Sequence, residues 1–591
     1  MCGIVGSIGY KESKSYLISG LKSLDYRGYD SCGIALLNND IEIYKCVGAV
    51  SNLEEKIKDV KSTYLGIAHT RWATHGRVKE KNSHPHLSMH KRLAIVHNGV
   101  IENFQTIKND LLKEGYEFYS DTDSEVIANL IESLYLKNGD ILKSINESIK
   151  LLKGSFACLL INKDQPDKIY FLKRSSPLLF GKCDGYFLLA SDASPMIKHT
   201  NIFIELNDNE YGFVTNKEIM IYLDDNEVSP TYVEKNPELC ERNIGGYPHF
   251  MLKEIEEIES VIRRIVLNYY SNGNFLFDEE LKKDLREANH IVFLGCGTSY
   301  HASLIGARYF EAVGISCSCY IASEWAYYPL VPGTKPFVIM LSQSGETADL
   351  IHCLNIVKQH GVKSLIVTNT KGSTLQRGCD YSICLNAGLE VSVASTKVYV
   401  AEVAALSLIV NSLTNNKHII SDFDNCYQII SNIRENKKED IKKIAEEIKK
   451  ARNIFYLGRG FDYDLCLEAS LKLKEISYIH SEAIAGGELK HGPIALIEEG
   501  LPVIVFISDE TTAQMMRGNI QEVKSRGAEV IVISKKSLSE KTDRIIVDDF
   551  PKELSSIAIS GIAFYLAYYV SLAKGYNVDK PRNLAKAVTV E

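Results

Sequence analysis

Hydrophobic positions change their rhythm once along the chain. Up to about Arg242 they fall in short runs bounded by turn residues, as at 65–68, 93–96, 157–161 and 187–190. Such runs predict β-strands. Residues 243–247 read NIGGY, a glycine pair followed by Pro248, and predict a boundary. Beyond it, apolar strands alternate with helical patterns, which predicts α/β units with parallel sheets.

This second half repeats itself. Residues 291–300 (IVFLGCGTSY) match 454–463 (IFYLGRGFDY) at an offset of 163, and 336–369 match 502–535 at an offset of 166. Each copy reads strand, serine-bearing turn, helix and strand, so two similar lobes are expected. Between them, around 437–450, Ile441, Ile444 and Ile448 recur at helical spacing amid charge, predicting a solvated amphipathic helix. Residues 554–573 carry no charge over 20 positions, long enough to span a bilayer. Four serines, three tyrosines and a glycine within them point instead to a helix buried between protein layers. The expected division is a first domain at 2–240, a linker at 241–250, lobes at 251–430 and 431–575, and a tail at 576–591.

Composition narrows the classes. The chain has 591 residues, 45% apolar and 24% charged, which is ordinary globular usage and long enough for several domains. Its net charge of -8 offers no basic surplus, so nucleic acid is not an expected partner. The 14 cysteines form no CxxC pair and no zinc-type set, which suggests reduced thiols in the cytoplasm. The start, MCGIVGSIGY, is unlike a signal peptide, and no membrane association is expected.

Cys2 follows the initiator Met, and small residues there permit Met removal. The freed α-amine, with a pKa of about 7.7–8.0, could act as base for the thiol of its own residue. Alternatively, Cys2 is a buried cysteine opening a strand. Residues 69–76 read HTRWATHG, where Arg71 could clamp a carboxylate at two points. Residues 97–99 read HNG, a turn in which the Asn98 side chain and Gly99 N–H could form an oxyanion hole, or simply a hairpin turn. Residues 121–125 read DTDSE, with Asp123 suited to an α-ammonium group. With CGIVG and YRGYDS, these stretches resemble the class II glutamine amidotransferase domain of the N-terminal-nucleophile hydrolases. The resemblance implies an αββα α+β domain in which Cys2 is the nucleophile, Asn98 and Gly99 form the oxyanion hole, and Arg71, Thr74, His75 and Asp123 shape the glutamine site. Cys32 is a departure, since the family often has a small residue there. Trp72, beside the clamp, is a candidate gate for ammonia or an ordinary core aromatic.

In the second half, GCGTS (295–299) has dinucleotide-like glycine spacing, but Tyr300 stands where the third glycine belongs. SQSGET (342–347) follows a strand and opens a helix, gathering three hydroxyls and backbone N–H groups into a cradle for one phosphate. Its counterpart in the second lobe, SDETT (508–512), has gained Asp509, which would repel phosphate. These features resemble tandem sugar-isomerase (SIS) domains. Lys472 and Glu475, at helical spacing, would ordinarily be a solvated pair. With GELKHGP (487–493) and the tail NLAKAVTVE, however, the whole chain resembles the isomerising glutamine:fructose-6-phosphate aminotransferases. That resemblance implies L-glutamine and fructose 6-phosphate as substrates, a homodimer with the HGP histidine reaching across the interface, and no metal or other cofactor. It puts the sugar phosphate on Ser342, Gln343, Ser344 and Thr347, and the sugar against Thr298, Ser299, Val393, Ser395 and Ala585. His491 would assist ring opening, Lys586 would form a Schiff base, Glu475 would move a proton between C1 and C2, and Lys472 would support it. The tail would close the sugar site. Ser392, where the family usually has glycine, is expected to have little effect.

Overall fold

The computed structural model describes residues 2–25, 28–72, 75–234, 243–327 and 336–588. It divides into two compact units, Met1–Asn243 with Ala585–Glu591, and Ile244–Leu584.

In the first unit, among the described residues, eight strands form an antiparallel sheet in the order Thr231–Glu234, Ile202–Glu205, Leu179–Lys182, Phe187–Ala190, Gly3–Ile8, Leu65–Arg71, Ser31–Leu37, Ile41–Val47. Seven more form a second antiparallel sheet, in which Leu93–Ile101 pairs with Gly154–Asn162. Side chains alternate between faces along each strand. Ile4, Ala35 and Ile67 therefore point inward, where they meet Val96, Leu159 and Phe171 of the other sheet. Their neighbours Val5, Ile34 and Ala68 point outward beneath the helices Ser13–Leu24 and Val50–Lys56. Ser124–Asn138 and Ile141–Leu151 cover the outer face of the second sheet. The result is a four-layer αββα sandwich.

Among its described residues, the second unit holds two parallel five-stranded sheets with the same strand order. The first runs Cys317–Ile321, His290–Gly295, Pro336–Ser342, Ser364–Thr368, Tyr381–Cys384. The second runs His480–Ala485, Asn453–Gly458, Pro502–Ile507, Glu529–Lys535, Ile545–Val547. The repeat extends to backbone detail: Gly297 and Gly460, one per lobe, precede equivalent helices with φ of 55° and 56°. One continuous core joins the lobes through the helices Thr298–Ala312, Lys397–Thr414, Phe461–Ser477 and Ser560–Ala573. Among the described residues, two helical segments, Lys397–Thr414 and Lys552–Ala573, are long and apolar enough to cross a membrane, but 83% and 78% of their apolar windows are buried inside the protein. The helix Lys438–Ile448 is less solvated than its charge suggests. Ile441, Ile444 and Ile448 are buried in the shared core, and only the opposite face is wet.

The first unit also buries four histidines, His69, His84, His86 and His97. The rings of His69 and His84 stack with centroids 4.0 Å apart, and those of His84 and His86 meet edge to face at 4.6 Å. Burial disfavours the charged ring. It pushes His69 down to about 3 from an ordinary 6.5 and lowers His84, His86 and His97 as well. For a depressed histidine the unfolded chain takes up the proton first. Stability is thus complete above the unfolded value of 6.5 and is lost as pH falls toward the folded value. Each such ring adds a slope of up to about 1.4 kcal/mol per pH unit. Denaturant unfolding of the first unit should accordingly shift to lower denaturant between about pH 7.5 and pH 5. A midpoint that stays fixed over that range would contradict the buried neutral cluster.

Candidate functional site

Cys2 immediately precedes a central strand, Gly3–Ile8, which lies between Leu65–Arg71 and Phe187–Ala190. Its thiol accepts the Trp72 N–H at 3.2 Å. Burial raises the thiol's pKa, while the Trp72 N–H and the Arg71 charge pull it back. Trp72 thus touches Cys2 through its backbone, and its ring packs edge to face on Tyr29 at 6.0 Å.

The HNG segment is not a turn. His97–Gly99 lies within the strand Leu93–Ile101, with Asn98 opposite Ala157 and Gly99 opposite Phe156. Gly99 has φ of 129°, and a Cβ there would lie 2.0 Å from the Ser155 carbonyl oxygen. Only glycine allows this close approach, so a turn-like tripeptide sits inside a ladder. The Asn98 amide NH2 donates to the Cys2 carbonyl at 3.2 Å and to Ser191 Oγ at 2.8 Å. Ser191, which carries no sequence motif, also accepts the Ile4 N–H at 2.8 Å. It ties the Cys2 strand to Asn98.

Arg71 is 3% exposed. Its Nη2 donates to the carbonyls of His75 and Gly76, and its buried Nη1 has no hydrogen-bond partner among the described residues. A buried, unpaired guanidinium N–H is costly unless an acceptor arrives, and a carboxylate would satisfy it. Asp123 does not cap the helix it precedes; its carboxylate accepts the Ile101 N–H at 2.8 Å. Thr74 lies outside the described residues. Cys32 faces Cys46 on the neighbouring strand, the two sulfurs 3.3 Å apart.

In the second unit SQSGET connects Pro336–Ser342 to the helix Ala348–Gln359. Ser342 and Thr347 share a hydrogen bond at 2.9 Å, the Gly345 N–H donates to Ser342 Oγ at 3.0 Å, and the Glu346 N–H donates to Ser344 Oγ at 3.1 Å. Thr347 makes no side-chain cap, so helix capping does not account for this hydroxyl cluster. Gln343 is half-buried, and its carbonyl accepts the Asn369 N–H at 3.2 Å. Gly345 has φ of 64° and a Cβ there would lie 2.0 Å from Ser373 Oγ.

The counterpart loop in the second lobe is filled from within. Asp462 stands where the repeat has Ser299, and its carboxylate accepts the Ser508 N–H at 2.7 Å and the Ser508 hydroxyl. Burial pushes Asp462 up to about 6. Asp509 pairs with Lys552 at 3.3 Å.

Lys472 and Glu475 are not a solvated pair. Lys472 is fully buried, with Nζ 2.7 Å from Glu475, 3.3 Å from Glu468 and 3.0 Å from Thr298 Oγ1. Burial alone would lower this ammonium, but Glu468 and Glu475 outweigh it and hold its pKa above the ordinary value. Glu468, also fully buried, accepts from Thr298 at 3.1 Å and lies 2.7 Å from His301 Nδ1. Thr298 belongs to the first lobe and Lys472 to the second, so the cluster bridges them. Glu468 was missed in the sequence, although 468, 472 and 475 share one helical face.

Ser299 donates to Glu402 at 2.9 Å. Ser395 donates to Glu390 at 2.8 Å, and Glu390 also accepts the N–H groups of Thr396 and Val398 at the start of the helix Lys397–Thr414. The Val393 N–H donates to the Asp579 carbonyl at 3.1 Å. Ser392 is buried, its N–H 3.2 Å from the Glu254 carboxylate. His491 is exposed at the end of a short 3-10 turn, Glu488–His491. Ala585 and Lys586 are half-buried and group with the first unit.

Comparison with known proteins agrees with this layout. A glutamine amidotransferase domain family matches residues 69–198, and the SIS domain family matches 284–412 and 447–571. The chain is 42% identical over 605 aligned residues to a protein of Oceanobacillus iheyensis named glutamine–fructose-6-phosphate aminotransferase [isomerizing], with 100% of both chains covered. It is 43% identical over 605 residues to the protein of that name from Streptococcus mutans, again over 100% of both. A solved C-terminal domain of glucosamine-fructose-6-phosphate aminotransferase from Francisella tularensis matches 57% of this chain and 100% of its own, with a TM-score of 0.54 and 31% identity. The chain therefore belongs to the isomerising glutamine–fructose-6-phosphate aminotransferase family.

Proposed function

We propose that the chain converts L-glutamine and fructose 6-phosphate to L-glutamate and glucosamine 6-phosphate. The observation that carries the reading is one chain holding two buried polar constellations of different chemistry. Cys2, Asn98 and Arg71 suit amide hydrolysis, and Thr298, Lys472 and Glu475 adjoin a hydroxyl-lined loop in a SIS lobe.

In the first half-reaction the Cys2 sulfur attacks the side-chain amide carbon of glutamine, with the residue's own α-amine, freed by loss of Met1, taking the thiol proton. The developing oxyanion is met by the Gly99 N–H and by the Asn98 N–H that otherwise rests on the Cys2 carbonyl, which exchanges that acceptor for the oxyanion. Collapse of the adduct expels ammonia and leaves a thioester, which water hydrolyses to glutamate. Arg71 holds the substrate carboxylate and Asp123 its α-ammonium, with Thr74 and His75 completing the pocket. In the second half-reaction the phosphate rests on Ser342, Gln343, Ser344 and Thr347, and the sugar lies against Thr298, Ser299, Val393, Ser395 and Ala585. His491 assists ring opening, and the Lys586 amine condenses with the C2 ketone, releasing water. Ammonia from Cys2 replaces the lysine at C2. Glu475 then takes the C1 proton and returns it to C2, a transfer that one base within reach of both carbons performs. Lys472, 2.7 Å away, orients that carboxylate. Exposure of His491 on its own unit fits a role in a neighbouring subunit's site, so we read the working form as a homodimer, and the free thiols fit a cytoplasmic location. We read Trp72, whose N–H donates to the Cys2 thiol, as the gate for ammonia.

Incubation with both substrates should yield glucosamine 6-phosphate. In Cys2→Ala glutamine use should disappear while fructose 6-phosphate isomerisation persists; loss of both without unfolding would contradict two separable sites. Gly345→Ala, strained at a left-handed φ and meeting Ser373, should do the opposite. It should raise KM for fructose 6-phosphate by about tenfold or more, equivalent to ~1.4 kcal/mol of lost binding, and leave glutaminase turnover unchanged. An unaltered sugar KM would remove SQSGET from the phosphate site.

A further inference from the structure

Asn98 could present either end of its side-chain amide toward Cys2, and only the NH2 end can stabilise an oxyanion. Its surroundings decide which. His69 Nε2 lies 2.9 Å from the His97 carbonyl oxygen and 3.1 Å from Asn98 Oδ1. A main-chain carbonyl only accepts, so Nε2 must carry the proton. The other ring nitrogen, Nδ1, is buried and has no hydrogen-bond partner among the described residues, as befits a bare lone pair. Burial keeps the ring neutral at working pH, and the stacked His84 ring, 4.0 Å away, fixes its plane. With the proton on Nε2, the end of the amide facing His69 is the oxygen. The NH2 is thereby turned toward Ser191 Oγ and the Cys2 carbonyl.

We propose that His69 is a positioning residue for glutamine hydrolysis: its Nε2–H, held in that tautomer by the His97 carbonyl, sets the polarity of the Asn98 amide and so keeps the NH2 end on the Cys2 side, where the N–H resting on the Cys2 carbonyl can pass to the oxyanion. His69 itself touches no reacting atom in this account. The proposal rests on the oxyanion-hole role given to Asn98 above. It goes beyond that role by assigning the orientation of the amide to a backbone carbonyl acting through one imidazole.

Two substitutions of similar polarity separate positioning from packing. The amide NH2 of Gln reaches the place of a histidine Nε2, whereas that of Asn stops near Nδ1. His69→Asn should lower glutaminase kcat by roughly the ~10²-fold seen when one oxyanion-hole donor is lost, with little change in KM for glutamine. His69→Gln should recover most of that loss. Alkylation of Cys2 by iodoacetamide develops no oxyanion, so its rate should be the same in both variants and in the unsubstituted protein. Fructose 6-phosphate isomerisation should also be unchanged, reporting an intact chain. A wild-type kcat in His69→Asn would overturn the proposal, as would equal losses in the two variants or slowed alkylation in His69→Asn. Asn98→Ala distinguishes the underlying reading. If it keeps full glutaminase activity, the oxyanion hole itself is misassigned and the proposal falls with it. If it loses activity while His69→Asn does not, only the role of His69 is wrong.

Discussion

The ammonium of Lys472 is fully buried, and the second unit is arranged around keeping it charged. A lone cation in such a place would lose its proton or unfold its surroundings. Two carboxylates, Glu468 and Glu475, prevent this, and Thr298 supplies a further hydrogen-bond partner from the other lobe. Because removing one partner of a buried ion pair is far more costly than the pair itself is favourable, the cluster fixes how the lobes meet. A second cross-lobe pair, Arg308 with Asp464, reinforces the same alignment. The duplicated scaffold has diverged around it. One lobe keeps the hydroxyl cluster of SQSGET, and in the other Asp462 instead accepts from Ser508.

The first unit obeys the same constraint with neutral groups. Asn98, Ser191 and His69 are all buried, and each satisfies another. Buried amides without water must be oriented by their neighbours. A net charge of -8 is therefore no obstacle to binding anionic substrates. In the proposed function the Arg71 guanidinium and the loop hydroxyls would act locally, and long-range charge is screened within about 8 Å at physiological salt.

Much of this was legible in the sequence because it rests on periodicity. The strand runs and the repeat at offsets of 163 and 166 follow from where apolar residues fall, and the buried character of 554–573 from the serines, tyrosines and glycine set among them. What stayed hidden depends on three-dimensional surroundings. HNG has the composition of a turn, and only the passage of Gly99 against the Ser155 carbonyl makes it strand. Lys472 and Glu475 have the spacing of an exposed ion pair, and nothing local reveals that a second lobe covers them. Glu468 could have been found from its place on the same helical face. Ser191 joins Ile4 to Asn98, both far from it in sequence, and Glu390 gathers the hydroxyl of Ser395 and two N–H groups at a helix start; neither left a pattern to find.

The claim that unites the two units is that nitrogen released at Cys2 ends on C2 of the sugar. The direct measurement supplies glutamine labelled with nitrogen-15 in its side-chain amide, together with fructose 6-phosphate and an excess of unlabelled ammonium. Nuclear magnetic resonance then reads the isotope on the product amine. The account predicts glucosamine 6-phosphate carrying the label from glutamine, undiluted by the ammonium in solution. Product bearing the unlabelled isotope would contradict it.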